Sequence, residues 1–187
     1  MSDWSPVWYW KSEVPSQICD YIIKLSETNE YETGKAGNNS SIDRETRNVD
    51  IQFSNLGWIN SMLIGYVNQA NAINFEYDLS KYDREKMQIS KYEPGKYYGL
   101  HTDFSPSRTT DAHLRKLSLS LQLSAPEEYT GGDLIITIPG KGEKFTSPKS
   151  KGTVIVFDSR LEHEVTPVES GVRYSLVKWV QGDRPLR

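Results

Sequence analysis

The sequence predicts a mainly β (α+β) domain, an antiparallel sandwich or open barrel supported by N-terminal helices. Two observations lead to this class. From about residue 87 onward, short runs with apolar residues at every second position are separated by turns that contain glycine or proline. Up to about residue 75, apolar residues recur at helical spacing instead. A chain of 187 residues suits one domain with one core, so we expect a single domain over residues 1–187.

Two segments of the first third predict helices. In VPSQICDYIIKL (14–25), Ser16 follows a proline and is a candidate N-cap. Its apolar positions at helical spacing are Val14, Ile18, Ile22 and Leu25. LGWINSMLIGYVNQANAINF (56–75) carries one apolar face, formed by Ile59, Met62, Leu63, Tyr66, Val67 and Ala70. Between them, TGKAGNNSSIDRETRN (33–48) has the composition of a long loop.

The remainder of the chain predicts strands. The run KLSLSLQLS (116–124) places leucine on one side and serine or glutamine on the other. A Gly-Gly turn precedes the next apolar run, and a fully apolar β-branched run follows it. The predicted strands are EKMQISKYE (85–93), KLSLSLQLS (116–124), GGDLIITI (131–138), GTVIVFD (152–158) and VRYSLVKWV (172–180).

Composition excludes several classes. The chain is 25 % charged and contains no apolar run of the roughly 18–20 residues that a bilayer requires. Its first residues lack the pattern of a secretory signal, and the single Cys19 cannot form an internal disulfide. A net charge of −3 gives no overall attraction to nucleic acid. We therefore expect a cytoplasmic protein without membrane or nucleic-acid partners; the sequence does not indicate its oligomeric state.

A histidine and an acid two residues apart predict half of a metal site. Side chains two apart on a strand lie on one face, so His101 and Asp103 would point to a shared place. Of the other histidines, His113 sits in a polar loop, whereas His163 follows an apolar strand closely. Two imidazoles and one carboxylate form the facial triad of non-haem Fe(II) oxygenases, although zinc accepts the same ligands. An isolated His-x-Asp motif is more often a solvated turn.

An arginine ten residues after His163 supports the metal-site prediction. Arg173 lies within a predicted strand and shares a face with Ser175. An inward-facing arginine needs an anion, and its planar fork suits a carboxylate. A dicarboxylate could therefore bind the metal at one end and Arg173 at the other. The competing interpretation is that Arg173 faces solvent on an edge strand, since arginine is mostly exposed.

These segments together resemble one known family. The matching pieces are Tyr92-x-x-Gly95-x-x-Tyr98-x-x-His101-x-Asp103, then YTGGDLII (129–136), then KGTVIVFDSRLEHEVTPVESGVRYSLVKWVQ (151–181). They resemble the Fe(II)- and 2-oxoglutarate-dependent dioxygenases of the prolyl 4-hydroxylase-like branch, and within it the small bacterial PKHD-type hydroxylases. The resemblance covers about residues 87–182, roughly half of the chain.

The resemblance implies a fold and a ligand set. It implies a double-stranded β-helix (jelly-roll) core over about residues 85–182, with helical support over about residues 1–80. It implies Fe(II), 2-oxoglutarate and O2 as cofactor and co-substrates, with ascorbate as an optional reductant. In the family's pattern His101, Asp103 and His163 match the iron ligands. Arg173 and Ser175 match the pair that binds the distal carboxylate of 2-oxoglutarate, Tyr92 matches a co-substrate tyrosine, and Tyr98 matches a position near the metal.

The resemblance also implies a reaction. It indicates hydroxylation of a C–H bond, with a prolyl residue of a peptide or protein as the leading substrate and with release of succinate and CO2. Arg173 departs from the lysine of collagen-type prolyl hydroxylases. Alternatives are the same chemistry on another amino acid or small metabolite, a jelly-roll binding module without catalysis, a zinc hydrolase, and a nucleic-acid demethylase, which the acidic balance disfavours.

Overall fold

The computed structural model describes residues 5–34, 46–104, 113–140 and 142–183. Its helical segments are α1 (Ser16–Ser26), α2 (Gly57–Ala70), a π-helical extension of α2 (Asn71–Phe75) and a 3-10 turn (Pro126–Glu128). Its strands are β1 (Val7–Trp10), β2 (Glu32–Thr33), β3 (Arg47–Asn48), β4 (Asp50–Ser54), β5 (Met87–Tyr92), β6 (Tyr97–His101), β7 (His113–Gln122), β8 (Tyr129–Gly131), β9 (Leu134–Ile138), β10 (Glu143–Thr146), β11 (Val154–Asp158), β12 (His163–Val165), β13 (Val168–Gly171) and β14 (Arg173–Asp183).

Across these ranges the strands pair into two principal antiparallel sheets. The larger sheet has the order β1-β11-β7-β14-β5-β4-β2, and the smaller has the order β10-β9-β12-β6-β3. A two-stranded ribbon, β13-β8, lies beside them. The predicted mainly β jelly-roll class is confirmed. None of the helices in the described part of the chain is long and apolar enough to cross a bilayer.

Strand β7 shows how the layers are arranged. Its leucines pack with α1 and α2 in one apolar core, which includes Ile22, Leu63 and Leu121. Its alternate residues, such as Ser118 and Ser120, are equally buried, although they are polar. Ser120 lines a cavity between the two sheets, and Ser118 donates to Asp103, which also lines it. The helices therefore cover one apolar face of the large sheet. Its other face carries polar residues at the cavity and, beside them, apolar residues such as Ile155 and Phe157 in a second core cluster with the small sheet.

Both predicted helices are present, with one error at a terminus. α2 and its π-helical extension span Gly57–Phe75, close to the predicted 56–75. α1 begins at Ser16, but Pro15 occupies the N-cap position and no side chain caps the helix. The predicted Ser16 N-cap is therefore wrong. Instead, the Pro15 carbonyl accepts the backbone N–H groups of Ile18 and Cys19, so the proline starts the helix through its own backbone.

The first third of the chain contributes strands as well as helices, which corrects the prediction. β1 pairs with β11 in the register Val7↔Phe157, and β4 pairs with β5. Their partners lie far along the sequence, so tertiary pairing decides their conformation where local pattern does not. The predicted loop 33–48 is interrupted too, because Arg47 lies buried in β3, paired with β6. Its central residues 35–45 lie outside the described part.

A close backbone approach joins α1 to the jelly roll at Gly152. Gly152 has φ +80°, and a Cβ there would lie 2.0 Å from the carbonyl oxygen of Val14. The same two residues are hydrogen-bonded, Val14 N–H donating to the Gly152 carbonyl at 3.0 Å. Only glycine satisfies both the dihedral angle and the contact. This position fixes where the first helix begins.

We predict that Gly152→Ala destabilises the fold more than Gly95→Ala. Gly95 has φ +81° but nothing within 4 Å of its would-be Cβ, so it controls for the dihedral strain of about 1–3 kcal/mol. The clash should add about 1–3 kcal/mol at Gly152. Urea denaturation of both variants gives the two free energies of unfolding. Equal losses of unfolding free energy in the two variants would show that the close approach at Gly152 does not contribute to stability.

Candidate metal and co-substrate site

Antiparallel pairing places two of the three histidines side by side. His101 ends β6, His163 begins β12, and the two are direct partners across the ladder. Their imidazole centroids lie 4.2 Å apart. β12 also pairs with β9 on its other side, opposite Ile136. His163 thus sits in an interior strand, where hydrogen bonds on both edges fix its backbone.

Asp103 completes the cluster from just beyond the end of β6. Its Oδ1 lies 3.9 Å from His101 Nε2, and its Oδ2 lies 3.5 Å from His163 Nε2. One ligand atom from each of the three residues falls within 4.8 Å of the others. The side chains are 14 %, 8 % and 8 % exposed for His101, Asp103 and His163. The arrangement could hold one metal ion, which the sequence predicted.

Hydrogen bonds set which nitrogen of each imidazole faces the cluster. His101 Nδ1 lies 2.8 Å from the Gly99 carbonyl, and His163 Nδ1 lies 3.0 Å from the Leu161 carbonyl. A carbonyl can only accept, so each Nδ1 carries the proton and donates it. In the neutral form of each imidazole, Nε2 then has its lone pair available to the cluster. Carbonyl partners of this kind orient metal-binding histidines.

The charge states agree with this ligand set. Burial, with His163 as the second cause, lowers the pKa of His101 to about 4, so its imidazole is neutral at pH 7. Burial alone would raise the pKa of Asp103, but His163, Arg115 and its other neighbours together offset that effect, and the pKa lies below the usual value. Neutral imidazole and ionised carboxylate are the forms that bind a metal.

Arg173 is a buried cation without a carboxylate partner in the part of the chain that the structure describes. It begins β14 and is only 2 % exposed. Its Nε has no hydrogen-bond partner, and its Nη1 has only a long contact to Ser175 Oγ at 3.4 Å. Among the residues that the structure describes, none forms an ion pair with it. The solvent-facing alternative is therefore wrong, and a charge this deep calls for an external anion.

One cavity between the two sheets joins Arg173 to the histidines. All seven residues that the sequence singled out line it, namely Tyr92, Tyr98, His101, Asp103, His163, Arg173 and Ser175. The structure thus brings the predicted residues together, while their roles stay predictions. Both a metal and a carboxylate co-substrate fit the donors present, because ligand atoms of His101, Asp103 and His163 lie close together and the Arg173 Nε–H has no partner among the described residues.

The two tyrosines take different places in this cavity. The Tyr92 ring lies 5.2 Å from the guanidinium carbon of Arg173, and burial raises the pKa of its phenol. It can therefore donate a hydrogen bond at the arginine end. The Tyr98 ring stacks on His101 with centroids 3.5 Å apart and an interplanar angle of 11°. Arg47 covers the Tyr98 ring, its guanidinium carbon 4.6 Å from the centroid, so Tyr98 belongs to the metal end.

Sequence reasoning missed the residues around Asp103. Ser118 Oγ donates to Asp103 Oδ2 at 2.7 Å. Arg115 Nη1 lies 3.8 Å from Asp103 Oδ1, while its Nε donates to Glu85 Oε1 at 2.8 Å. The Arg115 guanidinium also lies 4.0 Å from the ring centroid of Trp179. Alternation within β7 indicated the face of Ser118, but only the fold shows which carboxylate it meets.

Comparisons with known proteins identify a family for the second half of the chain. The family model described as "2OG-Fe(II) oxygenase superfamily" matches residues 87–181. PKHD-type hydroxylases from Hyphomonas neptunium and from Synechococcus sp. (strain JA-2-3B'a(2-13)) are 43 % and 39 % identical over 94 residues. Those residues make up 50 % of this chain, and the chain spans only 41 % of each relative's length.

Solved structures share the fold at low identity. A prolyl-4-hydroxylase from Pseudomonas putida aligns with a TM-score of 0.74 at 19 % identity, covering 96 % of this chain and 94 % of that protein. A prolyl hydroxylase from Trichoplax adhaerens, in complex with a hypoxia inducible factor peptide fragment, aligns with a TM-score of 0.75 at 19 % identity. That alignment covers 94 % of this chain and 83 % of the other protein. With half of its length matched by the family model, the chain belongs to the 2OG-Fe(II) oxygenase superfamily.

Proposed function

We propose that the protein is an Fe(II)- and 2-oxoglutarate-dependent hydroxylase that acts on a prolyl residue of a peptide or protein and releases succinate and CO2. One observation carries the proposal. A single cavity contains both a cluster of two imidazoles with a carboxylate and, separately, a buried arginine that has no anion among the described residues. The first suits Fe(II), and the second suits the distal carboxylate of 2-oxoglutarate.

His101, Asp103 and His163 would hold the iron. Three protein ligands leave coordination positions open for a co-substrate and O2. Fe(II) with 2-oxoglutarate and O2 supplies the oxidising power for C–H hydroxylation. The single charge of Asp103 offsets part of the metal's charge and leaves room for an anionic co-substrate. Zinc accepts the same ligands, but a zinc hydrolase would not account for the uncompensated charge of Arg173.

Arg173, Ser175 and Tyr92 would hold the far end of 2-oxoglutarate. The unpartnered Nε–H of Arg173 and the Ser175 hydroxyl lie on the same face of β14, toward the cavity. The Tyr92 hydroxyl remains protonated because burial raises its pKa. Together these groups offer a charge-assisted donor and two hydroxyls to a carboxylate. Burial of Arg173 keeps bulk water away from that interaction, which strengthens it.

The substrate assignment rests on likeness. Structural neighbours include prolyl hydroxylases, and one of them carries a peptide fragment. Fold alone does not determine a substrate, so another amino acid or a small metabolite remains the alternative. The Tyr98 ring, stacked on His101 at the metal end of the cavity, would lie closest to whatever is oxidised. An aromatic face suits an apolar ring such as that of proline.

We predict that the wild-type chain binds one divalent ion and that His163→Ala does not. Loss of a metal ligand should cost more than the roughly 10–100-fold typical of residues that only support a ligand. Anaerobic equilibrium dialysis with Fe(II), followed by metal analysis, measures the stoichiometry. The matched control is His113→Ala, since His113 is the remaining histidine of the chain. Loss of binding in the control, or retention in His163→Ala, would contradict the assignment.

We predict Fe(II)-dependent conversion of 2-oxoglutarate to succinate by the wild type and none by His101→Ala. A library of proline-bearing peptides, read by mass spectrometry, should contain members that gain one oxygen atom. If oxygen is added to free amino acids or small metabolites instead, the proposed hydroxylation stands but the proposed prolyl substrate is wrong. Equal succinate production by the wild type and by His101→Ala would contradict the proposed reaction.

We predict that Arg173→Met removes the stabilisation by 2-oxoglutarate without weakening the unliganded fold. At a hundredfold excess over its dissociation constant, a ligand stabilises by about 2.7 kcal/mol, which here raises Tm by about 5–10 °C. Thermal melts with Mn(II), with and without 2-oxoglutarate, should show that rise in the wild type only. Without ligand, Arg173→Met should melt no lower than the wild type, because it removes an uncompensated buried charge.

The control for that experiment is Arg160→Met. Arg160 is an exposed arginine paired with Asp158 and does not line the cavity, so this variant should keep the 2-oxoglutarate effect. An equal rise of Tm in Arg173→Met and in the wild type would remove Arg173 from co-substrate binding.

A further inference from the structure

The carboxylate of Asp103 lies at the end of a chain of two serine hydroxyls. Ser118 Oγ donates to Asp103 Oδ2 at 2.7 Å, and Ser159 Oγ lies 2.8 Å from Ser118 Oγ. A serine hydroxyl has one proton. Because Ser118 donates its proton to the carboxylate, Ser159 must be the donor in the second contact. The direction is therefore fixed from Ser159 to Ser118 to Asp103, and successive bonds of this kind polarise one another.

Ser159 is itself held by the backbone of two other segments. Its N–H donates to the Lys116 carbonyl at 3.0 Å, and its carbonyl accepts the N–H of Phe104 at 2.9 Å. Phe104 directly follows Asp103, and Lys116 lies two residues before Ser118. Both serines have no exposed surface. One residue after β11 thus ties the Asp103 segment to β7, and the hydroxyl chain runs inside this junction.

We infer that Ser118, oriented by Ser159, is a positioning residue that holds Asp103 as a ligand through one oxygen; this rests on the proposed function, in which Asp103 binds the metal. A lone pair of Oδ2 is engaged by the Ser118 hydroxyl, so the carboxylate cannot turn freely about its Cβ–Cγ bond. On the other side, Arg115 Nη1 lies 3.8 Å from Oδ1. Both oxygens therefore have a fixed neighbour.

The consequence for the site is an open coordination position. An aspartate that swings round to bind with both oxygens takes up one more position on the metal than an aspartate that binds with one. In a facial triad the open positions serve the co-substrate and O2. By holding the carboxylate, Ser118 would keep the number of open positions unchanged. Partners of metal ligands commonly contribute about 10–100-fold to metal affinity. Ser118 donates to Asp103 and does not line the cavity, so it would act on the metal through Asp103.

The test is a Co(II) titration of the full-length protein, followed by the visible absorption of bound Co(II). That absorption reports coordination number and geometry as well as occupancy. We expect Ser118→Ala to weaken Co(II) binding about 10-fold or more and to alter the shape of the spectrum. Ser118→Thr keeps a hydroxyl and should restore the wild-type spectrum and most of the affinity. Ser159→Ala leaves Ser118 in place but removes its donor, so a smaller loss is expected.

The matched control is Ser124→Ala. Ser124 is equally buried, and its Oγ accepts the N–H of Tyr174 at 2.7 Å, whereas the Ser118 hydroxyl donates to Asp103. This variant should lose stability without losing Co(II) affinity. Unchanged affinity and spectrum in Ser118→Ala, or an equal loss of affinity in Ser124→Ala, would overturn the inference.

Two further outcomes separate this inference from the proposed function. If Ser118→Ala does not fold, Ser159→Ala carries the test, and wild-type Co(II) affinity in that variant overturns the inference. If His163→Ala binds Co(II) as the wild type does, the metal does not sit on the triad. That result overturns the proposed function and the inference together, whereas an unaffected Ser118→Ala beside a defective His163→Ala overturns the inference alone.

Discussion

The antiparallel pairing of β6 with β12 is the interaction on which the site depends. Direct partners in such a ladder have Cα atoms about 4.5–5.5 Å apart, so the register His101↔His163 by itself brings two imidazoles together. A slip of one residue would turn one of them to the opposite face. Because β12 is also bonded to β9, and β6 to β3, the pair is held within a sheet, and Asp103 needs only the next two residues to reach it.

The site also requires a polar cavity between the two sheets, and a β-sandwich seldom buries so many polar groups. The large sheet meets this requirement by placing its leucines against α1 and α2 and its polar residues against the cavity. The helices therefore support the site indirectly, because without them the apolar face of β7 would be exposed to water. Buried polar groups then satisfy one another, as Ser118 and Asp103 do. Arg173 Nε is one of a few buried polar atoms without a partner among the described residues, and the absence of an anion beside that charge is the structural sign of a carboxylate ligand.

Much of the site could be predicted from the sequence because its residues lie at short, regular spacings. Arg173 and Ser175 are two apart within β14, and a period of two defines a strand face. His101 and Asp103 are also two apart, but Asp103 lies beyond the end of β6, so the strand period predicted their proximity without describing the local conformation. The burial of Arg173 could not be predicted, since it depends on strands on both sides of β14. Ser159 and Arg115 were missed for the same reason: their partners lie on other elements, and nothing local marks the contact.

The N-terminal third shows where local pattern fails in the fold. β1 and β4 carry weak strand signals, and their strand partners lie far from them in sequence. Arg47 was expected in a loop and instead lies buried over Tyr98. At the start of α1, a serine beside a proline predicts a side-chain cap, but Pro15 is the N-cap residue and no side chain caps the helix. Helices with a sustained apolar face were predicted nearly to their ends.

The most direct measurement is a crystal structure of the protein grown without oxygen in the presence of Fe(II) and 2-oxoglutarate. The account predicts one metal ion bonded to His101 Nε2, His163 Nε2 and one oxygen of Asp103, with metal–nitrogen distances near 2.0–2.2 Å. It predicts the distal carboxylate of 2-oxoglutarate on Arg173 and Ser175. A metal ion elsewhere, or a dicarboxylate that leaves Arg173 without a partner, would contradict it.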